Sequence, residues 1–264
     1  MCTSPVSVTR NFKDGSSRVD VVPCGKCPEC RAKAQSEFAA LSVREAESAG
    51  KIGFITLTYN DKFLPLWLRS SDGSCKLLRC SETDFHFEKC GPKVSFDSII
   101  CPSLCRKDVQ SFIKRYRQDF FRREEKRLDF RYTFFGEYGE RFRRPHYHML
   151  VFGLEESELR RLLTHWKFGF TDLKFITHFN ADGSDAFAKV SRYVSKYVGK
   201  RDMLPAFVRN GYAEVPRKQS SIRLGVRDLV DGSEELESLR SFILPAMLRD
   251  LSLIRHNKLM SSGL

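Results

Sequence analysis

The sequence predicts an α+β fold in which helices pack on one face of an antiparallel sheet. Three observations lead there. Segments 51–59, 129–136, 145–153 and 171–177 are rich in β-branched and aromatic residues, and turn formers bound them. Between the first and second, and again between the third and fourth, apolar residues recur at helical spacing. The order is therefore strand, helix, strand, strand, helix, strand, which is that of the ferredoxin-like split βαβ. A further helix, over 185–200, is added to this core.

Residues 1–23 read as an irregular lead-in. Cys24-Gly25-Lys26-Cys27-Pro28-Glu29-Cys30 follows as a C-x-x-C-x-x-C knuckle. Such spacing lets thiolates reach one ion, but a closed zinc site needs a fourth ligand. Cys2, Cys75, Cys80, Cys90, Cys101 and Cys105 are the candidates, and the sequence does not choose among them. A cysteine-rich turn leading into a helix would explain the same spacing. That helix is expected over 31–49, with Ala34, Phe38, Leu41 and Val43 supplying its apolar positions.

After the first strand, residues 60–104 show no steady period and carry Pro, Gly, Ser and four cysteines. They read as a long insertion, a class that is usually functional or mobile. From about residue 105, Val109, Phe112, Ile113, Tyr116 and Phe120 mark a helix with a basic remainder (Lys114, Arg115, Arg117, Arg122, Arg123). The strands 129–136 and 145–153 are joined by a charged, Gly-bearing turn and should pair as a hairpin. Helix 155–166 places Leu159, Leu162, Leu163 and Trp166 on one stripe and closes near Gly169.

In helix 185–200, Phe187, Val190, Val194 and Val198 form the docking stripe. Tyr193 and Tyr197, four apart, are neighbours on its flank, with Lys189, Lys196 and Lys200 just beyond. Residues 201–264 are less regular, basic around 217–227, with a last amphipathic helix expected over 234–253. The chain thus divides into a cysteine-containing segment and helix (1–50), a central domain (51–200, insertion about 60–104) and a C-terminal extension (201–264) without an assigned role.

Forty-five basic against thirty-three acidic residues leave a net charge of +12. That excess favours a polyanionic partner, nucleic acid above all. Lys114, Arg115, Arg143 and Arg144 are the candidate DNA contacts. No apolar run reaches membrane-spanning length, and the N-terminus lacks a signal-peptide core. The nine cysteines are then expected as reduced thiols in a cytosol.

The candidate chemistry sits in Pro145-His146-Tyr147-His148. Strand side chains alternate, so His146 and His148 share a face while Tyr147, Met149 and Val151 point into the core. Two imidazoles are half of a metal site. Glu137 on the partner strand is the preferred carboxylate, over Glu140, which lies in the turn. A His-His-carboxylate set binds Mg²⁺, Mn²⁺ or Zn²⁺ and would polarise a phosphate oxygen. The phenols of Tyr193 and Tyr197 suit attack on the phosphorus, because flanking ammonium groups favour their ionised form.

Phe54-Ile55-Thr56-Leu57-Thr58-Tyr59, Gly136-Glu137 with Pro145-His146-Tyr147-His148, and Tyr193-x-x-x-Tyr197 with its lysines resemble the three motifs of the His-hydrophobe-His (HUH) rolling-circle replication endonucleases. Together with the cysteine knuckle they most resemble the replication initiators of small single-stranded DNA phages, in the chlamydia-infecting gokushovirus branch of microviruses. The resemblance covers about residues 20–200. It implies an enzyme that nicks the plus strand of duplex replicative-form DNA at the origin through a 5′-phosphotyrosyl link, and starts and ends rolling-circle replication by strand transfer. His146, His148 and Glu137 would hold Mg²⁺ or Mn²⁺; Tyr193 and Tyr197 would be the nucleophiles, aided by Lys196 and Lys200. Cys24, Cys27 and Cys30 would serve a structural zinc. The implied partners are viral DNA and the host replication machinery in the bacterial cytoplasm, without membrane. Two other classes fit parts of the sequence: a non-catalytic DNA-binding regulator or packaging protein on the same fold, and a zinc hydrolase whose tyrosines merely pack.

Overall fold

The computed structural model describes residues 2–12, 14–83, 92–95, 97–140, 143–177, 190, 193, 204–222 and 224–226. The helix expected over 234–253 lies outside them, as does that over 185–200 apart from Val190 and Tyr193. The chain separates into two compact units. One comprises Met1–Arg44, Val190–Gly199 and Gly225–Leu264; the other comprises Glu45–Lys189 and Lys200–Leu224.

In the first unit, the stretch expected to be irregular is a hairpin. Strands β1 (Val6–Asn11) and β2 (Ser17–Val22) pair antiparallel. At the turn, the Asp14 carboxylate accepts from the Ser16 amide at 2.9 Å, and Gly15 takes a φ of +82°. Asp-Gly between alternating valines is a hairpin signal. It escapes a search for amphipathic contrast because Val6, Val8, Val19 and Val21 all stay exposed. Helix α1 (Pro28–Ala49) starts three residues earlier than expected. The Cys27 carbonyl accepts its first bond, from the Arg31 amide at 3.0 Å. Pro28 therefore occupies the first helical position, where a missing N–H costs nothing. Phe38 and Leu41 are buried on its apolar side.

The second unit is built on a five-stranded sheet in the order β10 (Thr171–Thr177), β3 (Lys51–Thr58), β9 (Pro145–Phe152), β8 (Arg131–Tyr138), β11 (Lys218–Ser220). Every neighbouring pair is antiparallel. The four expected strands thus stand in the spatial order fourth, first, third, second, and β11 extends the edge at β8. Helices α2 (Arg106–Glu124) and α3 (Glu156–Thr164) bring Val109, Phe112, Ile113, Tyr116, Leu159 and Leu162 into one core with Ile55, Leu57, Phe134, Tyr147, Met149 and Val151. Two glycines on that sheet face make room for the helical layer. A Cβ on Gly53 would meet Leu159 Cδ2 at 2.5 Å, and one on Gly136 would meet Leu104 Cδ1 at 2.6 Å.

Residues 60–104, expected as an aperiodic insertion, carry a second sheet. Its order is β5 (Cys75–Arg79), β4 (Pro65–Ser70), β7 (Ser98–Pro102), β6 (Lys93–Val94), all antiparallel. The strands are short and mostly half-exposed, so their apolar pattern is weak in sequence. One buried carboxylate ties this sheet to the main one. Asp108, in the first turn of α2, accepts from Arg79 Nη1 at 2.9 Å, Arg79 Nη2 at 2.6 Å and Tyr59 Oη at 2.8 Å. Burial and the neighbouring acidic groups hold the Tyr59 phenol well above its ordinary pKa, so it remains a donor.

Asp108→Ala leaves a buried guanidinium and phenol without their acceptor, and should cost about 3 kcal/mol in urea denaturation. Gly169→Ala should lower the melting temperature, because its Cβ would lie 2.3 Å from the Thr58 carbonyl oxygen and 2.4 Å from the Asn60 nitrogen. Backbone, unlike a side-chain tip, cannot swing aside.

Candidate functional site

The register of the sheet builds the site. Pairing places Glu137 opposite His146, and His146 opposite Thr58, so three strands contribute one row. The next row is Phe135, His148 and Thr56. Both rows lie on the face opposite the helical core, because Tyr147 and Met149 occupy the alternate, buried positions.

Glu137 Oε2 lies 3.2 Å from His148 Nε2 and 3.6 Å from His146 Nε2, and the two ring nitrogens are 3.1 Å apart. The three side chains are only 12–18 % exposed. His146 Nδ1 sits 3.0 Å from the Arg144 carbonyl oxygen. A carbonyl can only accept, so Nδ1 carries the proton and a neutral His146 turns its Nε2 lone pair toward Glu137. His148 Nδ1 lies 3.4 Å from Thr56 Oγ1. Three electron-rich atoms from a carboxylate and two imidazoles, two with second contacts behind them, suit a divalent cation. Glu140, the rival carboxylate, is not part of this group.

Two supports carry no role in the sequence reading. Thr56 is legible there only as part of a strand motif. Arg144 is expected to contact DNA, yet its Nε and Nη2 donate to the Tyr59 carbonyl at 3.1 and 2.8 Å, and Nη1 pairs with Asp61 at 2.7 Å. Through its own carbonyl the same residue orients His146. It therefore ties the start of β9 to the exit of β3.

The other candidate DNA contacts divide. Lys114 is exposed and Arg143 half-exposed, with a positive φ of 48° in the turn before β9. Arg115 donates to the His165 carbonyl at 2.9 Å and lies over the Phe168 ring. On the same helix Arg117 covers Phe130, and Arg123 pairs with Glu158. Much of the basic face of α2 thus serves packing. Of the tyrosine segment, Val190 is buried and Tyr193 half-buried in helical backbone within the first unit. Tyr197, Lys189, Lys196 and Lys200 lie outside the described residues.

A second group joins Cys24, Cys27 and Cys30 to Cys2, with all four sulfur atoms within 4.8 Å of one another. The Lys26 and Cys27 amides donate to Cys24 Sγ at 3.4 and 3.3 Å and lower its pKa. Amide donation from Cys30 and Thr3 brings Cys27 to about 6. The other described candidates for fourth ligand stand elsewhere. Cys75 is exposed; Cys80, Cys101 and Cys105 are buried thiols. Burial pushes Cys101 and Cys105 up to about 11. Cys90 lies outside the described residues.

Residues 95–202, which include the Glu-His-His set and the tyrosines, match the family model for replication-associated proteins of the ORF2 type. The chain resembles phage replication proteins. It is 25 % identical over 199 residues to replication-associated protein ORF2 of Spiroplasma virus 4, covering 69 % of this chain and 50 % of that protein. It is 26 % identical to replication-associated protein VP4 of Bdellovibrio phage phiMH2K, over 68 % of this chain and 48 % of the relative. To replication-associated protein ORF4 of Chlamydia phage 1 it is 27 % identical, over 66 % and 38 % respectively. The matches thus span half or less of each relative's length. No solved structure matches the chain.

If Glu137, His146 and His148 are ligands, Glu137→Gln or His148→Ala should weaken Mn²⁺ binding at least about tenfold with the melting temperature little changed. Isothermal titration decides it: undiminished affinity would remove these side chains from the metal set.

Proposed function

We propose that the chain initiates rolling-circle replication of a small single-stranded DNA phage, by nicking the plus strand of replicative-form DNA at the origin. The convergence of Glu137, His146 and His148 on one sheet face carries this reading, and the similarity to phage replication-associated proteins supports it. The strand order of the main sheet agrees with the split βαβ of the HUH endonucleases.

Glu137 Oε2 and the two histidine Nε2 atoms would hold Mg²⁺ or Mn²⁺, which when bound supplies a Lewis acid for a phosphate oxygen. His146 is held for that role by the Arg144 carbonyl, and His148 by Thr56. The phenol of Tyr193 or Tyr197 attacks the phosphorus. The P–O3′ bond breaks, the departing oxygen takes a proton to become a 3′-hydroxyl, and the 5′-phosphate remains esterified to tyrosine. Energy of the phosphodiester is kept in that ester, so a later 3′-hydroxyl can reverse the step and close a circle. The second tyrosine permits a second cleavage without release of the strand. Lys196 and Lys200, flanking the phenols in sequence, favour the phenolate and hold phosphate. The net charge of +12 suits the DNA partner, and the host replication machinery would extend the free 3′ end within the bacterial cytoplasm.

Incubation with labelled single-stranded origin DNA and Mg²⁺ should give a covalent protein–DNA adduct. DNA left intact would instead indicate a non-catalytic binder, and cleavage without adduct a hydrolase. His146→Ala should lower nicking by at least about a hundredfold while salt-sensitive DNA binding survives, as filter binding across a salt series would show. Tyr193→Phe and Tyr197→Phe should each allow one cleavage and block completed circles. Normal circle formation by both single variants would remove the two-nucleophile mechanism.

A further inference from the structure

The first unit poses a physical problem. Its hairpin has two strands, and Val19 and Val21 are 64 % and 70 % exposed. A two-stranded hairpin that buries so little is marginal on its own in water. Beyond the hairpin the chain has one feature able to fasten it. Cys2 lies four residues before β1, Cys24 two residues after β2, and Cys27 and Cys30 at the start of α1. The sulfur group therefore sits where the base of the hairpin meets the first turn of the helix.

Its dimensions suit one ion. Zn–S bonds of about 2.3 Å in a tetrahedron set neighbouring sulfurs about 3.8 Å apart. Cys2 Sγ and Cys27 Sγ are 3.8 Å apart. The backbone is arranged around the sulfurs as donors. The Cys24 amide points at Cys2 Sγ at 3.3 Å, and the Lys26 and Cys27 amides point at Cys24 Sγ. Gly25 makes that turn possible with a φ of +70°. Convergent N–H groups compensate the charge that several thiolates around one cation would carry.

We propose that Cys2, Cys24, Cys27 and Cys30 form a closed tetrathiolate zinc site that clamps the base of the β1–β2 hairpin to the N-terminus of α1. With four protein ligands the site has no open position and acts structurally. It draws on no residue of the Glu-His-His set, so it stands or falls separately from the nicking reaction.

The full-length chain, purified under reducing conditions without added metal, should retain one zinc per chain through dialysis, measured by elemental mass spectrometry. Replacement by Co²⁺ should give intense thiolate-to-cobalt charge-transfer absorption, which histidine and carboxylate ligands cannot produce. Cys2→Ser should weaken zinc binding by at least about tenfold in competition with a chromophoric chelator, whereas Cys75→Ser should bind as the unaltered chain does. The proposal is overturned by a Co²⁺ spectrum lacking thiolate bands, by iron in place of zinc, or by a metal-free chain with Cys2 in a disulfide. Unchanged zinc affinity in Cys2→Ser would remove the fourth ligand and overturn it equally. The cobalt spectrum is read on the unaltered chain, so misfolding of a variant cannot obscure the outcome.

Discussion

The pairing of β8 with β9 is the constraint on which the site rests. Because side chains alternate, a slip of one residue would send Glu137 to the helical face and leave the two histidines without their carboxylate. Several interactions fix that register. Phe134, Gly136 and Tyr138 on one strand face the same core as Tyr147, Met149 and Val151 on the other. Leu104 fills the space over Gly136. Tyr138 donates to the Glu214 carbonyl at 2.7 Å and accepts from the Leu104 amide at 3.1 Å, pinning the strand at the residue after Glu137. Hydrophobic burial thus selects the face, and a small number of hydrogen bonds fix the position along the strand.

Around this pair the structure shows a division of labour among polar groups. Tyr59, at the exit of β3, contributes its phenol to Asp108 and its carbonyl to Arg144. The Trp166 indole donates to the neighbouring Thr58 carbonyl at 2.9 Å. The end of β3 is therefore held from α2, from the β8–β9 turn and from the α3–β10 connection. A cationic residue beside a candidate metal site invites assignment to phosphate, but Arg144 shows that charge can be consumed by the scaffold that aims a ligand.

Much of this was legible in the sequence where burial on one face imposes a period. The strands around Ile55, Phe134, Met149 and Leu173 and the helices around Phe112 and Leu159 fall where β-branched, aromatic and apolar spacing put them. The shared face of His146 and His148 needed only strand alternation, and Glu137 only the proximity of a hairpin. What escaped lacks that contrast. The β1–β2 hairpin is exposed on both sides, and the strands of residues 60–104 are short and half-exposed. Choosing Cys2 among six cysteines required the fold of the hairpin, because 22 residues separate it from Cys24. The double use of Arg144 depends on where β3 ends, a tertiary fact.

Strand β11 is brief, yet its placement matters for how this chain behaves among copies of itself. Lys218, Gln219 and Ser220 occupy the outer ladder of Phe135, Phe134 and Thr133, with Ser220 Oγ 3.0 Å from Thr133 Oγ1. Bare amides and carbonyls on such a border recruit any extended peptide that passes. By sealing it, three residues distant in sequence keep the carboxylate-bearing strand from templating aggregates. A version of the chain cut before Lys218 would bare that stretch and be prone to stick to its own kind, even with every ligand present.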